Sequence, residues 1–486
     1  MAARKKRTLT PEEQLEAALV PEEEWPYELP DNWCWVRLGT CISKSTEKSN
    51  TNDPTVLYVG LENFESGAGI AGYADASGTK SVKSVFRPGQ ILYGRLRPYL
   101  NKHDVAKVEG VCSTDILVYE PTECAEAQYV NLFLDTKEFI EHAVSHSKGI
   151  NLPRVSPTEI EAAFFPLPPL HEQRRITSRI EWLFAKLDDA EAELREVISD
   201  SEGRQSSVLH SAFCGDLTTQ WRRKHEGHDA SPIADIAAFA KDWKTKDQRL
   251  LVEQQAKCVD RDLDGHIWTE CTVGAIGRVT NGSTPSRKVP AYWGGDIPWV
   301  SSGEVRNNII TETHECITDE GYNRTSVNLL PAGTVLIAMI GEGKTRGQSA
   351  ILHIPATINQ NVAAVVIDHG FVEPRFLWYW FKYSYRRNRE AGSGTGPQAL
   401  NCQRVRELPF ILPGKDEQAE IVRRLDILLE REQQTQSLAL DALEAIGKMR
   451  QAVLSKALHG ELGTNDPAQP SSKELLASIV SGNAGK

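Results

Sequence analysis

The side chains with the clearest chemical potential are polar and basic residues in short stretches that are rich in Gly, Ser and Pro. GRLRPYLNKH (94–103) is one such stretch in the first half of the chain, and NGSTPSRK (281–288) and GEGKTRGQ (341–348) lie in the second half. Hydroxyl, amide, Lys and Arg side chains of this kind form hydrogen bonds with DNA phosphates and base edges. Any one stretch could equally be an ordinary solvated turn, but their recurrence at matched positions in both halves favours DNA-binding loops.

The first half contains a basic segment within an acidic chain. The net charge of the 486 residues is −11, whereas the segment from Lys80 to Lys107 has seven basic residues and one acidic residue, a local charge of +6. These charges argue against a protein that coats nucleic acid and favour a confined binding surface. The candidate DNA-binding residues of this half, which include two in the loop SKGINLPR (147–154), are Lys80, Lys83, Arg87, Arg95, Arg97, Lys102, Lys148 and Arg154.

The candidates of the second half are more often uncharged. They come from 281–288, from 341–348 and from the loop GSGTGPQALN (392–401), and they are Ser283, Thr284, Ser286, Arg287, Lys344, Arg346, Gln348, Gln398 and Asn401. Such hydroxyl and amide groups can read base edges as well as hold phosphates.

One stretch leaves an enzymatic alternative open. AMIGEGKT (338–345) satisfies a relaxed phosphate-binding loop, but the residues that follow have strand texture where that mechanism requires a helix. Glu342 and Lys344 also match the E-x-K half of a metal-dependent nuclease site, with Asp319 as a first acid. An NTP-binding enzyme or a nuclease is therefore the alternative to pure DNA recognition, and a coiled-coil protein adaptor is another.

Two long amphipathic helices must position these loops. In the stretch 171–212, apolar residues recur at alternating steps of four and three, which is the seam of a coiled coil, and a helix of this length would be about 60 Å long. An offset of 245 residues carries FPLPPLHEQRRI (165–176) onto FILPGKDEQAEI (410–421), so the chain contains a duplication. The residues predicted to pair the helices are Ile176, Ile180, Leu183, Leu187, Leu194, Ile421, Leu425, Leu428, Ile446 and Val453.

The duplication predicts the domain organisation and an α+β fold. Each half reads as a globule of short strands and a helix, starting at Trp35 or Trp268, and each is followed by a long helix, the two helices pairing as an antiparallel intramolecular coiled coil. The predicted segments are an N-terminal helical segment (1–28), a first recognition domain (29–168), a central long helix (169–215), a linker (216–262), a second recognition domain (263–413), a distal long helix (414–462) and a flexible tail (463–486).

Composition excludes several protein classes. No apolar run is long enough for a transmembrane helix, and the basic N-terminus lacks the apolar core of a secretory signal. The nine cysteines are scattered without a C-x-x-C pair, which fits free thiols in a cytoplasmic protein. His142 and His146 lie four residues apart on a predicted helix, but no third ligand is evident, so we expect no metal site. No N-P-P-Y motif of an adenine methyltransferase is present.

With these motifs in place, the chain resembles the specificity (S) subunits of type I restriction–modification enzymes. The resemblance depends on the LPPLHEQRRI/LPGKDEQAEI pair that opens the long helices and on NGSTPSRKVPAYWGGDIPWVSSGEV, MIGEGKTRGQSAIL and GSGTGPQALN in the second globule. It implies a non-catalytic subunit with two target recognition domains, each reading half of a bipartite sequence in double-stranded DNA. The expected partners are two methyltransferase (M) subunits and restriction (R) subunits. S-adenosylmethionine, ATP and Mg would belong to those partners, with no cofactor in this subunit.

Overall fold

A computed structural model describes residues 10–65, 67, 69–78, 81–225, 232–241, 257–341, 343–390 and 399–483. The chain divides into two compact units. The first unit comprises Met1–Glu196 with Ala439–Lys486, and the second comprises Val197–Leu438. Each unit therefore contains one of the two predicted recognition domains and a part of each long helical segment.

The helices of the described residues have the following bounds. They are α1 (Pro11–Ala18), α2 (Ala127–Leu134), α3 (Lys137–Ser145), α4 (Pro157–Glu161), α5 (Leu170–Ser199), α6 (Ser201–Phe213), α7 (Thr219–Arg222), α8 (Ile233–Lys241), α9 (Val273–Ile276), α10 (Asp319–Asn323), α11 (Pro374–Tyr383), α12 (Tyr385–Glu390), α13 (Cys402–Glu407), α14 (Lys415–Leu458) and α15 (Ser472–Asn483).

The strands of the first unit are short, as expected of runs divided by turn residues. They are β1 (Cys34–Arg37), β2 (Ile42–Lys44), β3 (Lys48–Ser49), β4 (Leu57–Val59), β5 (Phe64–Glu65), β6 (Gly69–Ile70), β7 (Ala74–Asp75), β8 (Lys83–Phe86), β9 (Ile91–Gly94), β10 (His103–Val105), β11 (Gly110–Cys112), β12 (Ile116–Pro121) and β13 (Phe164–Leu167). They form sheets in the orders β10-β9-β12-β2, β3-β8-β11-β4-β7, β1-β13 and β5-β6.

The second unit repeats much of this topology. Its strands are β14 (Val259–Leu263), β15 (His266–Thr272), β16 (Arg278–Asn281), β17 (Trp293–Val300), β18 (Asn308–Ile310), β19 (Glu315–Ile317), β20 (Val335–Ala338), β21 (Ser349–Leu352), β22 (Thr357–Ile358), β23 (Val362–Val366) and β24 (Pro409–Leu412). The sheet orders are β16-β23-β20-β21-β18, β19-β17-β22 and β14-β15-β24. The run β21-β20-β23-β16 therefore corresponds to β10-β9-β12-β2, and an additional strand, β18, extends it.

Strand pairing and backbone angles show two pairs of equivalent positions in the two units. Tyr58 and Val59 lie in a strand that runs parallel to β11, and Trp299 and Val300 lie in one that runs parallel to β22. Gly89 and Gly333 both have positive φ, 89° and 87°, in the turns that precede β9 and β20. Only glycine adopts such an angle without steric cost, which explains why the same residue type occurs in both turns.

The predicted equivalence of Trp35 and Trp268 is wrong by two residues. Cys34 pairs with Leu167 in β1–β13, and Thr269 pairs with Leu412 in β15–β24. Because Leu167 and Leu412 are related by the offset of 245, the residue equivalent to Trp268 is Trp33. The short alternating strands around both tryptophans made either alignment plausible from the sequence alone.

The sequence predicted one central long helix, but the structure has two helices in this segment. It consists of α5 and α6, with Asp200 between them, whereas the distal helix α14 is continuous over 44 residues. The predicted seam residues Ile176, Ile180, Ile421, Leu425 and Ile446 are buried. Leu183, Leu187, Leu194, Leu428 and Val453 are half-buried.

Contacts between the two long helical segments occur inside each unit. In the first unit, Arg450 of α14 donates hydrogen bonds to Asp188 (2.5 Å) and to Glu191 (3.1 Å) of α5. In the second unit, Arg204 of α6 forms an ion pair with Glu432 of α14 at 2.7 Å. The start of α5 and the end of α14 share one apolar core, and the end of α6 and the start of α14 share another.

The composition predicted a flexible tail, but part of the tail is helical. It includes α15, whose Leu476 is buried in the core of the first unit, and the backbone N–H of Ser472 donates to the Asn32 carbonyl at 3.0 Å. Part of the predicted linker likewise packs into the core of the second unit, where Ile236 of α8 is buried. The N-terminal helix α1 starts as predicted, with Thr10 as N-cap and Glu13 completing a capping box.

Two stretches of the first unit are each divided between two elements. The segment 128–144 forms α2 and α3, because Thr136 accepts a hydrogen bond from the N–H of Phe139 and caps a new helix. The segment 111–120 contributes to both β11 and β12. Within the described residues, no helix combines the length and apolar character required to cross a membrane.

Candidate DNA-recognition surfaces

Each unit holds two of the predicted loops side by side. In the first unit, the loop 95–102 connects β9 to β10, and the N–H of Val155 donates to the Arg95 carbonyl at 3.1 Å. In the second unit, the loop 339–348 connects the equivalent strands β20 and β21, and the N–H of Leu400 donates to the Met339 carbonyl at 2.9 Å. The same backbone link therefore joins a sheet loop to the segment before a short helix in both units.

In the first unit, this loop pair carries an arginine cluster around Asp115. Arg154 donates to both carboxylate oxygens of Asp115, at 2.9 and 3.1 Å, and Nε of Arg95 lies 3.6 Å from the same carboxylate. The hydrogen bond from Arg154 lowers the pKa of Asp115, with the charge of Arg95 adding to the effect. Asp115 therefore holds two guanidinium groups of like charge close together.

Arg97 and Lys148 are the exposed cations of this surface. Arg97 has a left-handed backbone conformation, with φ 53°, and its N–H donates to the Pro153 carbonyl at 2.7 Å. Its guanidinium forms no ion pair within the described residues. Both side chains are available for an anion from outside the chain.

Arg87 lies on the same domain but is paired. Its guanidinium donates to both oxygens of Glu47, at 2.5 and 2.8 Å, and this contact lowers the pKa of Glu47. Arg87 could reach a phosphate only by giving up that ion pair.

Two of the predicted basic residues contact the protein itself. Lys83 is only 1% exposed, and its Nζ donates to the Thr51 carbonyl at 2.7 Å, so it stabilises a turn and a DNA contact is not proposed for it. Lys102 donates to the Leu61 carbonyl at 2.7 Å. Counting charges could not distinguish these inward-facing lysines from exposed ones. Lys80 lies outside the described residues.

In the second unit, the loop 283–287 is anchored to the sheet. The N–H of Ser283 donates to the Ile358 carbonyl at 3.0 Å, Nε1 of Trp299 donates to the Ser283 carbonyl at 3.1 Å, and Thr284 donates to Gln360. Ser286 is exposed. These contacts fix the backbone of the loop while leaving its outer side chains at the surface.

Arg287 is the strongest potential anion ligand of this loop. Its guanidinium lies 3.7 Å from the ring centroid of Trp293 and donates to both oxygens of Glu315, the second at 2.7 Å. The hydrogen bond from Arg287 lowers the pKa of Glu315. Stacking and ion pairing together hold the guanidinium in one orientation.

The loop 339–348 does not have the geometry of a nucleotide-binding loop. Strand β21 begins at Ser349, directly after the loop, where phosphate binding would require a helix N-terminus. Lys344 is exposed, and its carbonyl accepts a hydrogen bond from the Tyr385 hydroxyl at 2.6 Å. Arg346 and Gln348 are half-buried. Glu342, which the nuclease alternative requires, lies outside the described residues.

The third loop of the second unit is described only at its end. Gln398 lies outside the described residues. Asn401 is exposed and caps α13, because its Oδ1 accepts a hydrogen bond from the N–H of Arg404 at 2.9 Å. Its amide NH2 group is thus the part that remains for a base or a phosphate.

Sequence reasoning missed the carboxylates that hold the arginines. Glu47, Asp115 and Glu315 each bind an arginine that lies 28 to 40 residues away in the chain. No local motif joins these partners, since the sheet brings them together. Runs of alternating charge on paired strands would have been the only available signal.

The described residues contain no group of acidic, histidine and cysteine side chains arranged to hold a metal ion. His142 donates from Nε2 to the Glu159 carbonyl at 2.8 Å, and His146 donates from Nδ1 to the His142 carbonyl at 2.9 Å. Both imidazoles therefore contact the backbone of their own unit.

Comparisons with known proteins identify this architecture. A sequence model described as the type I restriction modification DNA specificity domain matches residues 266–440. The specificity subunit of the type I restriction enzyme EcoDI from Escherichia coli is 31% identical over 201 residues, which are 40% of this chain and 45% of the relative. That of MjaIX from Methanocaldococcus jannaschii is 31% identical over 188 residues, 36% and 42% of the two chains. The chain thus matches less than half the length of these two curated relatives.

Solved structures agree in fold. A chain from the study "Structural basis underlying complex assembly and conformational transition of the type I R-M system" has a TM-score of 0.66, with 20% identity over 90% of this chain and 100% of that chain. The HsdS subunit from Thermoanaerobacter tengcongensis has a TM-score of 0.61 at the same identity and coverage. The chain therefore shares the fold of these two structures, and its residues 266–440 are similar in sequence to the type I restriction modification DNA specificity domain.

Proposed function

We propose that this chain is the DNA-reading subunit of a type I restriction–modification complex and that each unit reads one half of a bipartite target. The observation that carries the proposal is the twofold recurrence of one surface. In both units, a loop from equivalent sheet strands is linked by backbone hydrogen bonds to the segment before a short helix. Both surfaces present exposed cations on this loop pair, Arg97 and Lys148 in the first unit and Lys344 in the second.

The arginine geometry supports base reading as well as phosphate binding. Two parallel N–H groups of a guanidinium match the O6 and N7 acceptors of guanine, but only if the guanidinium is held in place. Arg154 is held by Asp115, and Arg287 is held by Glu315 and the Trp293 ring. A positioned arginine loses less conformational entropy on binding, so each pair favours selective contacts over loose attraction.

We infer that the long helices pair as an antiparallel coiled coil and form the scaffold for partner subunits. The contacts of Arg450 with Asp188 and of Arg204 with Glu432 support this pairing, because each links the central segment to α14. Two M subunits and R subunits would assemble on this scaffold. S-adenosylmethionine, ATP and Mg would be bound by those partners, which would carry out methylation and cleavage.

The deciding experiment is to co-express the chain with its M partner in cells that lack adenine methylation and to map N6-methyladenine across the genome. We expect one bipartite motif, with two specified parts and a constant unspecified gap. Methylation without sequence preference, or a single uninterrupted motif, would contradict the proposal. Cells that carry M alone are the control.

A gel-shift titration separates recognition from scaffolding. With the mapped site as probe, the chain alone should bind weakly, because its net charge is −11 and few exposed cations lie on the candidate loops. Addition of M should raise affinity and sequence preference together. Tight sequence-specific binding by the chain alone would contradict the scaffold role while leaving the DNA-reading role intact.

A further inference from the structure

We propose that Ile150 is an apolar base probe, a side chain that enters a DNA groove and contacts the bases of one half-site. This inference rests on the proposed function and adds an apolar residue to the cations of the candidate surface. Ile150 is the most exposed large apolar residue among those described, at 101% of its reference surface. Apolar side chains that are exposed together on one surface mark interaction sites, and Tyr99 and Leu152 of the same loop pair are exposed as well.

The backbone holds Ile150 outward at the tip of a closed loop. The N–H of Lys148 donates to the Arg154 carbonyl, and the N–H of Arg154 donates to the Lys148 carbonyl, both at 2.9 Å. Gly149 has φ 112°, and a Cβ there would lie 3.0 Å from the Leu152 carbonyl oxygen, so this bend requires glycine. The loop 148–154 is therefore a short, braced projection, and little ordering is needed when it binds.

The surroundings of the tip indicate DNA rather than an apolar protein surface. The loop containing Ile150 and the adjacent loop 95–102 together contain five basic residues and no acidic residue. They are joined by the hydrogen bond from the Arg97 N–H to the Pro153 carbonyl, 2.7 Å long. Tyr99 and Leu152 are also exposed here. Cations around a small apolar projection match phosphates that flank an apolar target inside a groove, such as a thymine methyl group or an opened base step.

The second unit offers no equivalent probe in its sequence. The matched segment GSGTGPQ (392–398) contains no large apolar residue. The contribution of Ile150 should therefore be confined to the half-site read by the first unit. This asymmetry gives the proposal an internal control, because the other half of the same target serves as the reference.

The test uses the complex of the chain with M on duplexes that carry the mapped bipartite site. Ile150→Ala should bind about tenfold more weakly, the loss expected when one aliphatic side chain no longer leaves water. Leu329→Ala is the matched control, since Leu329 of the second unit is 48% exposed and lies outside the candidate loops. It should bind as the unaltered chain does. Since Ile150 contacts no core, both variants should keep the original melting temperature.

Base analogues identify the contact. In one series of duplexes, each thymine of the first half-site is replaced in turn by deoxyuridine, which lacks the methyl group. If Ile150 contacts a thymine methyl group, one of these replacements should weaken DNA binding by the unaltered complex about fourfold. The same replacement should not change DNA binding by the Ile150→Ala complex. If Ile150 enters a base step, 2-aminopurine at that step should brighten with the original complex and not with Ile150→Ala. Either signature supports the proposal.

Three results would overturn it. The first is that Ile150→Ala leaves both the binding and the methylation motif unchanged. The second is that Ile150→Ala weakens binding without either base signature. The third is that Ile150→Ala fails to assemble with M, which would assign the loop tip to the protein partner. All three are separable from failure of the proposed function, because they presuppose a bipartite motif obtained with the unaltered chain.

Discussion

Gln173 and Gln418, 245 residues apart, make the same three hydrogen bonds at the starts of two long helices. Gln173 donates to the carbonyls of Cys124 and Pro168, both at 2.9 Å, and accepts from the N–H of Glu126 at 2.8 Å. Gln418 donates to the carbonyls of Phe371 and Pro413 at 2.9 Å and accepts from the N–H of Glu373 at 2.8 Å. In each unit, the amide thus fastens a long helix to the residue that caps α2 or α11.

Removing either amide should destabilise its own unit. Gln173→Ala leaves two carbonyls and one N–H without their partner in a buried setting, so we expect a loss of about 2–4 kcal/mol in the free energy of unfolding. Gln418→Ala should have a similar effect on the second unit. Urea titration measures this, with Gln433→Ala, at an exposed position of α14, as the control. A loss below about 0.5 kcal/mol would show that the amides do not brace the helices.

The neighbouring glutamates should differ in their contribution to stability. Glu417 is buried and accepts hydrogen bonds from Thr218 (2.6 Å), Arg222 (2.8 Å) and Trp268 (2.8 Å). Arg222 is only 3% exposed, so Glu417→Ala would leave a buried cation without its main partner and cost about 3–5 kcal/mol.

Glu172 is the natural comparison in the first unit. Its partner Arg175 is 36% exposed, so water can solvate the guanidinium after the carboxylate is removed. Glu172→Ala should therefore cost less, about 1–2 kcal/mol. Equal losses for the two variants in urea titration would mean that burial of the arginine does not decide the effect.

The long helices and the duplication were predictable because both depend on local periodicity and on a constant offset. The end of α5 at Ser199 was not, since residues 199–207 contain no proline that would mark a break and the apolar seam resumes at Val208. Charge counting placed Lys83 on the binding surface, whereas its neighbours in the sheet direct it inward. The pairing of Arg154 with Asp115 joins two loops that are 39 residues apart in sequence, and no single-sequence pattern contains that information.

Stability of the first unit should depend on pH through His103. Burial lowers the pKa of this imidazole, but hydrogen bonding to Asp135 (3.1 Å) and to Asn131 (2.8 Å) outweighs it, so the pKa is raised above its ordinary value of 6.5. A raised pKa means that the folded state binds the proton more tightly. The resulting stabilisation is complete below the pKa of the unfolded chain and is lost as pH rises through the pKa of the folded state.

The His103→Gln variant tests this dependence. The unaltered chain should lose more stability than the variant as pH rises from about 6.5, the ordinary value for histidine, through the raised pKa of the folded state. Thermal melting across that range measures the difference. His225→Gln, at an exposed histidine of the second unit, is the control. Parallel curves for the chain and His103→Gln would exclude the link.

Glu315 should limit the attraction of Arg287 to any DNA. Because the Glu315 carboxylate offsets the charge of the guanidinium that it holds, Glu315→Gln should strengthen binding of the M complex to random-sequence DNA by up to about fivefold, the value of an exposed ion pair. The gain should shrink at high salt. Filter binding at several salt concentrations measures this gain. Glu320 of α10 forms an ion pair with Arg324, so Glu320→Gln is the control. If Glu315→Gln instead weakened binding to the specific site and to no other DNA, Glu315 itself would contact a base.

The division of labour between the units predicts separable effects on the two half-sites. Arg97→Ala should relax or weaken recognition of one half, and Lys344→Ala should affect the other, because these exposed cations lie on matched loops of different units. A lost bidentate base contact would cost about 1–3 kcal/mol at one position and change the methylation motif there. A lost phosphate contact would weaken all sequences alike and lower the salt slope by about one.

Methylation mapping and salt titration together distinguish these cases. Lys137→Ala removes an exposed lysine of α3, which pairs with Glu141 outside the candidate loops, and should leave motif and slope unchanged. If Arg97→Ala and Lys344→Ala altered the same half-site, the two surfaces would not read separate halves of the target. Changes confined to different halves require that each unit carry its own reading surface, which is the arrangement that the repeated loop pair predicts.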